Sequence, residues 1–266
     1  MKKIDEFIEK KKDEVVFKKA THQYFVNGEI YPSVTTILNS VIAKPFLMYW
    51  AVKEAVSYIG ENLDRVVNKE LILNNENASK ILSEAKKAHE KIKEDAGKIG
   101  SESHAIIEKI NRGEVFDEKE IQDFDVRLRN SVNAYLSWKK EVSFEPTEPE
   151  FISYSKKYKY AGMIDCVGKI DNKLVLVDYK TSNNLYPEYW LQLAGYYGAY
   201  SEMFPEQKIV DCYIVRFGKE DGIFEAKNIK DISIMKGYYK VFLSAFDLWK
   251  WQQEQKKEGI KKWKAK

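Results

Sequence analysis

Two aspartates and a lysine carry the most chemistry per residue in this chain. Asp165 closes Gly162-Met163-Ile164-Asp165, and Asp178 and Lys180 sit in Val177-Asp178-Tyr179-Lys180. Asp171-Asn172 separates two strand-like runs, 163–170 and 173–179, and reads as a two-residue hairpin turn. With that turn Ile170 faces Lys173 and, counting outward, Asp165 falls opposite Asp178. Cross-strand partners hold their Cβ atoms about 4.5–5.5 Å apart on one face, so two carboxylates there repel. The preceding run Val175-Leu176-Val177 has the texture of a buried strand, where that repulsion is least tolerable. A divalent cation such as Mg²⁺ offsets it, because it is hard and is held by one or two carboxylates plus water and phosphate. Lys180 lies two residues past Asp178, on the same face and about 7 Å along the strand. A metal and an ammonium side by side suit a substrate whose charge grows during reaction, such as a phosphodiester attacked by water. A register slip of one residue would put the aspartates on opposite faces and leave Lys180 a plain surface lysine.

The surrounding elements follow from patterning. Gln23 to Tyr31 reads as a hairpin about Asn27-Gly28, and Ser33 caps a helix over 34–41. Lys44-Pro45 breaks that helix, and another runs over 46–59. Residues 61–142 are mostly helical. Ile81, Leu82, Ala85, Ala88 and Ile92 form one apolar stripe. Ala105, Ile106 and Ile110 form a second, after a break at Gly100-Ser101, and Phe124, Leu128, Val132, Tyr135 and Leu136 a third. Asn74–Asn77 and Asn111–Gly113 read as the loops between them. After Pro146 and Pro149 come strands over 151–154, 163–170 and 173–179, a helix from Pro187 to Met203, strands over 209–217 and 223–226, and a last helix from Ile232. Gln192 and Tyr196 are four residues apart on the first of these two helices, so both reach one place. Residues 1–14 read as a charge-mixed helix or a loose tail. The expected organisation is an N-terminal hairpin and helical cap over 1–145 and a core over 146–266, integrated in one domain.

Composition bounds the possibilities. With 44 Lys and Arg against 41 Asp and Glu, the net charge of +3 does not by itself announce a nucleic-acid binder. Charge is concentrated after Trp249, where seven lysines face only Glu254 and Glu258, in a segment that reads as a solvated helix end or a contact for phosphates. Two cysteines, Cys166 and Cys212, exclude a four-cysteine zinc or iron–sulfur site within this chain. No apolar run follows Met1 in the manner of a secretory signal, and no stretch approaches ~20 apolar residues. The expectation is a soluble, cytoplasmic protein with no membrane partner.

The ordered set Gly162-x-x-Asp165, Asp178-Tyr179-Lys180 and Gln192-Leu193-Ala194-Gly195-Tyr196 resembles the PD-(D/E)XK nuclease superfamily, in its RecB-type exonuclease branch. Gly100 to Glu108, around His104, resembles the histidine motif of that group. Tyr31 to Leu38, with Lys44-Pro45 and Trp50-Ala51, resembles phage exonucleases and the mitochondrial genome-maintenance exonuclease. The resemblance implies an α/β (α+β) restriction-endonuclease-like core, a mixed central sheet flanked by helices, with an N-terminal helical cap covering the site. It implies Asp165, Asp178 and the Tyr179 backbone carbonyl as metal ligands, with His104 as ligand or close neighbour and Glu150 as a less specific match. Lys180 would orient or activate the attacking water. Gln192 would lie near the metal or the DNA backbone, with Tyr196 beside it. Tyr189 and Trp190, just before them, read either as rings that stack on bases or as core packing.

The cofactor so implied is Mg²⁺ or Mn²⁺, with no iron–sulfur cluster. No Walker A motif is present, so no ATP is expected. The implied activity is a phage-type DNA exonuclease of recombination, repair or replication, acting on single- or double-stranded ends. A single-strand annealing or binding protein is the further partner. The alternatives are a structure-specific endonuclease of the same superfamily and a non-catalytic DNA-binding module on a nuclease scaffold.

Overall fold

The computed structural model describes residues 13–19, 21 and 23–264. The expectation for residues 1–12 therefore lies outside the described residues. A small antiparallel sheet comes first, of β1 (Val15–Lys18), β2 (Gln23–Val26) and β3 (Glu29–Tyr31). β2 and β3 turn at Asn27 and Gly28, whose φ values of 50° and 82° are those of the expected tight turn. β1 is a strand that the pattern did not announce.

α1 (Val34–Val41) begins where Ser33 accepts a hydrogen bond from the Thr36 amide. Then follow α2 (Pro45–Val67), α3 (Asn75–Ala85), α4 (Ala88–Asn111), α5 (Glu118–Gln122) and α6 (Val126–Glu141). Three helix expectations need correction. Asn74 to Asn77 is no loop: the Asn74 side chain caps α3. The stripe from Ile81 to Ile92 is divided between α3 and α4, and Leu82 and Ile92 are exposed. Gly100-Ser101 does not break α4, which runs straight through it. The glycine answers to packing instead, since a Cβ there would sit 2.8 Å from Thr181 Oγ1.

The main sheet has the order β4 (Glu145–Ser155), β5 (Tyr160–Ile170), β6 (Lys173–Lys180), β7 (Asp211–Phe217), β8 (Phe224–Ile229). β6 and β7 are parallel, joined across α7 (Glu188–Met203), and the other neighbours are antiparallel. β4 begins earlier than expected and contains both prolines. It is an edge strand, where a missing N–H is tolerated, and its register slips between Pro146 and Glu148. α8 (Ile232–Lys264) ends the chain.

The protein is thus mixed α/β, a five-stranded mixed sheet flanked by helices. Leu176, Ile214, Leu193 and Phe242 lie in the core between the sheet and α1, α7 and α8. Val175, Val177, Tyr179 and Val215 pack on the other face against Ile107 of α4 and Tyr135 and Trp138 of α6. A Ser103–Ser131 hydroxyl contact of 2.6 Å ties α4 to α6 inside that second core. Among the described residues no helix is long and apolar enough to cross a membrane.

Candidate active site

The β5–β6 hairpin turns at Asp171 and Asn172, with φ of 51° and 59°, and pairs from Ile170–Lys173 out to Cys166–Val177. The register is the expected one, but the ladder stops one pair before the aspartates. At that point β5 reverses its alternation. Tyr160 and Ile164 face the α7–α8 core, Cys166 faces the α4–α6 core, and Val167 returns to the first. On β4, between the pairs Pro149–Cys166 and Phe151–Ile164, Glu150 takes φ 51°, a left-handed conformation uncommon outside glycine. Asp165 turns into the opening between β5 and β6, where its Oδ2 accepts the Tyr179 N–H at 2.7 Å. An aspartate side chain has taken the place of the backbone ladder.

Helices from both faces of the sheet meet this opening. From α4, His104 Nδ1 lies 3.2 Å from Asp165 Oδ1. From α7, Gln192 Nε2 donates to Asp178 Oδ1 at 3.3 Å and to the Tyr196 hydroxyl at 2.9 Å. The Gln192 carbonyl oxygen accepts from Lys180 Nζ at 3.2 Å. That ammonium also lies 2.5 Å from Asp178 Oδ2 and 4.6 Å from the centre of the Tyr189 ring. Asp178 is 1% exposed and the Lys180 side chain 13%. The structure therefore brings together Asp165, Asp178, Lys180, Gln192, His104, Tyr189 and Tyr196. The Tyr179 carbonyl belongs to the backbone between Asp178 and Lys180. Its side chain points into the α4–α6 core, where Asn111 donates to its hydroxyl. Trp190 packs on the α7–α8 core beside Tyr238.

A cleft of about 490 Å³ opens beside His104, lined by Gly100, Ser101, Glu108, Glu150 and Thr181 among others. Glu108 is the site residue that sequence reasoning passed over. Its signal was its spacing, one turn beyond His104 on the same helix. Arg112, another turn on, donates to it at 2.7 Å.

Electrostatics divide the carboxylates. Burial raises Asp178 to about 6, against the pull of Lys180 and with the push of Asp165. Burial also opposes ionisation of Asp165, but His104, Lys180 and the Tyr179 amide outweigh it and hold Asp165 low. Burial disfavours the charged forms of His104 and Lys180, and the facing aspartates more than offset that, so both stand above their usual values. Glu150 is raised by burial, then by Glu108 and Asp165.

This sets a pH dependence for the metal-free protein. Folded Asp178 takes up its proton near pH 6, whereas the unfolded chain does so near 3.8. The folded state binds the extra proton in that window, so stability rises as pH falls from about 7 to about 5, by about 1 kcal/mol. His104, raised as well, acts with the same sign. Urea unfolding in EDTA across this range should show the rise in the wild type and a shallower one in Asp178→Asn. Equal slopes would mean that Asp178 does not titrate as a buried acid.

A second expectation concerns Gly162. A Cβ there would sit 2.3 Å from Tyr196 Cε1 and 2.9 Å from its Cδ1. Gly162→Ala should therefore push the ring that braces Gln192 and destabilise the protein by about 1–3 kcal/mol. An unchanged urea midpoint would show that the ring does not pack so closely.

The site's fit to a metal can be judged from its atoms. Among the described residues no three His, Cys, Asp or Glu side chains form a ready cage. The donor set nevertheless suits a hard cation: two carboxylates meet at one opening, and buried Asp178 Oδ2 makes no hydrogen bond beyond its ionic contact with Lys180.

No family model matches the sequence. Over 108 residues the chain is 30% identical to a subunit of the ATP-dependent helicase/nuclease of Clostridium kluyveri, in two strain designations. The match takes in 37% of this chain and 9% of that much longer protein, so the chain spans less than a tenth of the length of these relatives. Among solved structures it is similar to the alkaline exonuclease LHK-Exo of Laribacter hongkongensis, both in a structure described as the exonuclease itself and in one with dAMP. There the identity is 14%, the cover 47% of this chain and 69% of that one, and the TM-score 0.30. Similarity to the protein SSO0001 has 16% identity, a cover of 43% and 56%, and a TM-score of 0.26.

Proposed function

We propose that this chain is a Mg²⁺- or Mn²⁺-dependent deoxyribonuclease of the PD-(D/E)XK type that shortens DNA from its ends. The observation that carries the reading is the convergence of Asp165, Asp178, Lys180, Gln192 and His104 at the opening between β5 and β6. The 108-residue similarity to a helicase/nuclease protein supports it. Asp165 and Asp178, with the Tyr179 carbonyl, would hold the cation, and His104 and Glu150 would stand beside it. A cation held there supplies Lewis acidity toward the phosphate and acidifies water at neutral pH.

The chain's own groups do the positioning. His104 orients the Asp165 carboxylate and keeps it ionised. Gln192 holds Asp178 with its N–H and Lys180 with its carbonyl, which aims the ammonium. Lys180 orients the attacking water and meets the charge that grows on the phosphate. Tyr189 lies against Lys180, placed to stack on a base at the scissile end.

The preference for ends rests on α2. Lys44, just before it, lies 3.5 Å from Glu188 at the start of α7, and Trp50 meets His89 of α4 edge-on. α2 so connects the two helices that carry Gln192 and His104, which suits a cap over the opening. The test is end-labelled linear single- and double-stranded DNA and a closed circle, each with Mg²⁺, Mn²⁺ or EDTA. Shortening of linear DNA with metal and an intact circle is the expected result. A cut circle would assign an endonuclease, and no cleavage under any condition would overturn the reading.

A further inference from the structure

α8 is 33 residues long, and its first half packs on the core. Met235, Phe242 and Phe246 are buried, and Trp249 packs at the edge of that core. From there to Lys264 the helix continues for ~22 Å. Trp251 is 56% exposed, and residues 254–259 are all exposed. Among the described residues no ion pair involves Glu254, Lys256, Lys257 or Glu258, while Lys250 is paired with Asp247. Lys261, Lys262 and Lys264 follow on the same helix. A helix segment exposed throughout residues 254–259 gains nothing there from packing, and its lysines repel one another.

Its direction shows where that charge is delivered. Ser201 and Ile232 line one pocket, a Cβ on Gly198 would strike Tyr239, and one on Gly195 would meet Phe242. At these three places the later residue of α7 meets the earlier residue of α8, so the two helices run antiparallel along this stretch. The free half of α8 therefore extends past the N-terminal end of α7, the end at which Tyr189 lies against Lys180. We infer that residues 250–264 form a cationic arm that binds the sugar–phosphate backbone of DNA beside the opening of the site. Charge complementarity and this placement select a polyanion held near the reacting phosphate. The inference rests on the nuclease reading.

The test is fluorescence anisotropy of a labelled 30-nucleotide strand with the full chain in EDTA, at several salt concentrations. The wild type is compared with a variant carrying Lys256→Gln, Lys257→Gln, Lys261→Gln and Lys262→Gln. Each phosphate contact on a single strand contributes about 0.7 to the log–log salt slope. The variant should bind at least ~10-fold more weakly at about 0.1 M salt, with a slope lower by ~2. Its cleavage of a trinucleotide should match the wild type. Wild-type binding with equal affinity and slope in the variant would overturn the arm and leave the nuclease reading standing. Wild-type failure to bind DNA at all would overturn both. Vesicles containing anionic phospholipid are the control: a loss confined to them, with DNA binding unchanged, would assign the arm to a membrane surface instead. Loss of DNA binding in a protein that cleaves nothing with any metal would keep the arm and overturn the nuclease.

Discussion

Asp178→Asn is expected to lower metal-dependent DNA cleavage on the order of 10³-fold or more, with the chain still folded. Three features of the site combine in that expectation. Asp178 is the most buried of the carboxylates, its Oδ1 is fixed by Gln192, and its Oδ2 has only the Lys180 ammonium. Asparagine keeps the shape but removes the charge that a hard cation requires. It also releases Lys180 from its 2.5 Å partner, so the metal ligand and the aim of the ammonium fail together. Folding survives because the change removes a buried carboxylate that stands close to Asp165. The check is single-turnover cleavage of an end-labelled strand, with circular dichroism and urea unfolding of the same preparation. Cleavage at the wild-type rate would remove Asp178 from the site.

Lys180→Ala is expected to lower the maximal rate by about 10²–10³ while the half-saturating Mn²⁺ concentration stays where it is. The ammonium is a donor and a charge, not a ligand, and it lies between Asp178, the Gln192 carbonyl and the Tyr189 ring. Removing it takes away orientation of the water and stabilisation of the phosphate but leaves both aspartates. Rate measured against Mn²⁺ concentration separates the two effects. A variant whose half-saturation rises in proportion to its loss of rate would show that Lys180 holds the metal site together instead of acting on the substrate.

The hairpin was legible because its signals are local. Asp171-Asn172 tolerates the positive φ that a two-residue turn demands, and the apolar runs on either side make register a matter of counting. The reversal of β5 at Asp165 was not legible. It depends on Glu150 of the neighbouring strand taking φ 51° and on Tyr179 giving its N–H to a side chain, and neither residue type announces that. The Gly100-Ser101 pair read as a break because glycine disfavours helix. In the fold its lack of a side chain is what lets Thr181 approach α4 beside His104. Pro146 and Pro149 hid the first half of β4 for a comparable reason: proline argues against a strand, and only the edge position makes it acceptable. Gln192 and Tyr196 share one helix face by spacing alone, but that this face meets Asp178 and Lys180 follows from the crossover between β6 and β7.

The central claim is that Asp165 and Asp178 together hold a divalent cation, and calorimetric titration of Mn²⁺ into the metal-free protein tests it most directly. One strong binding event is predicted for the wild type, weakened at least ~100-fold in the Asp165→Asn, Asp178→Asn double variant, whose urea midpoint should remain that of a folded protein. Undiminished Mn²⁺ binding by the double variant, or no binding by the wild type, would contradict the account.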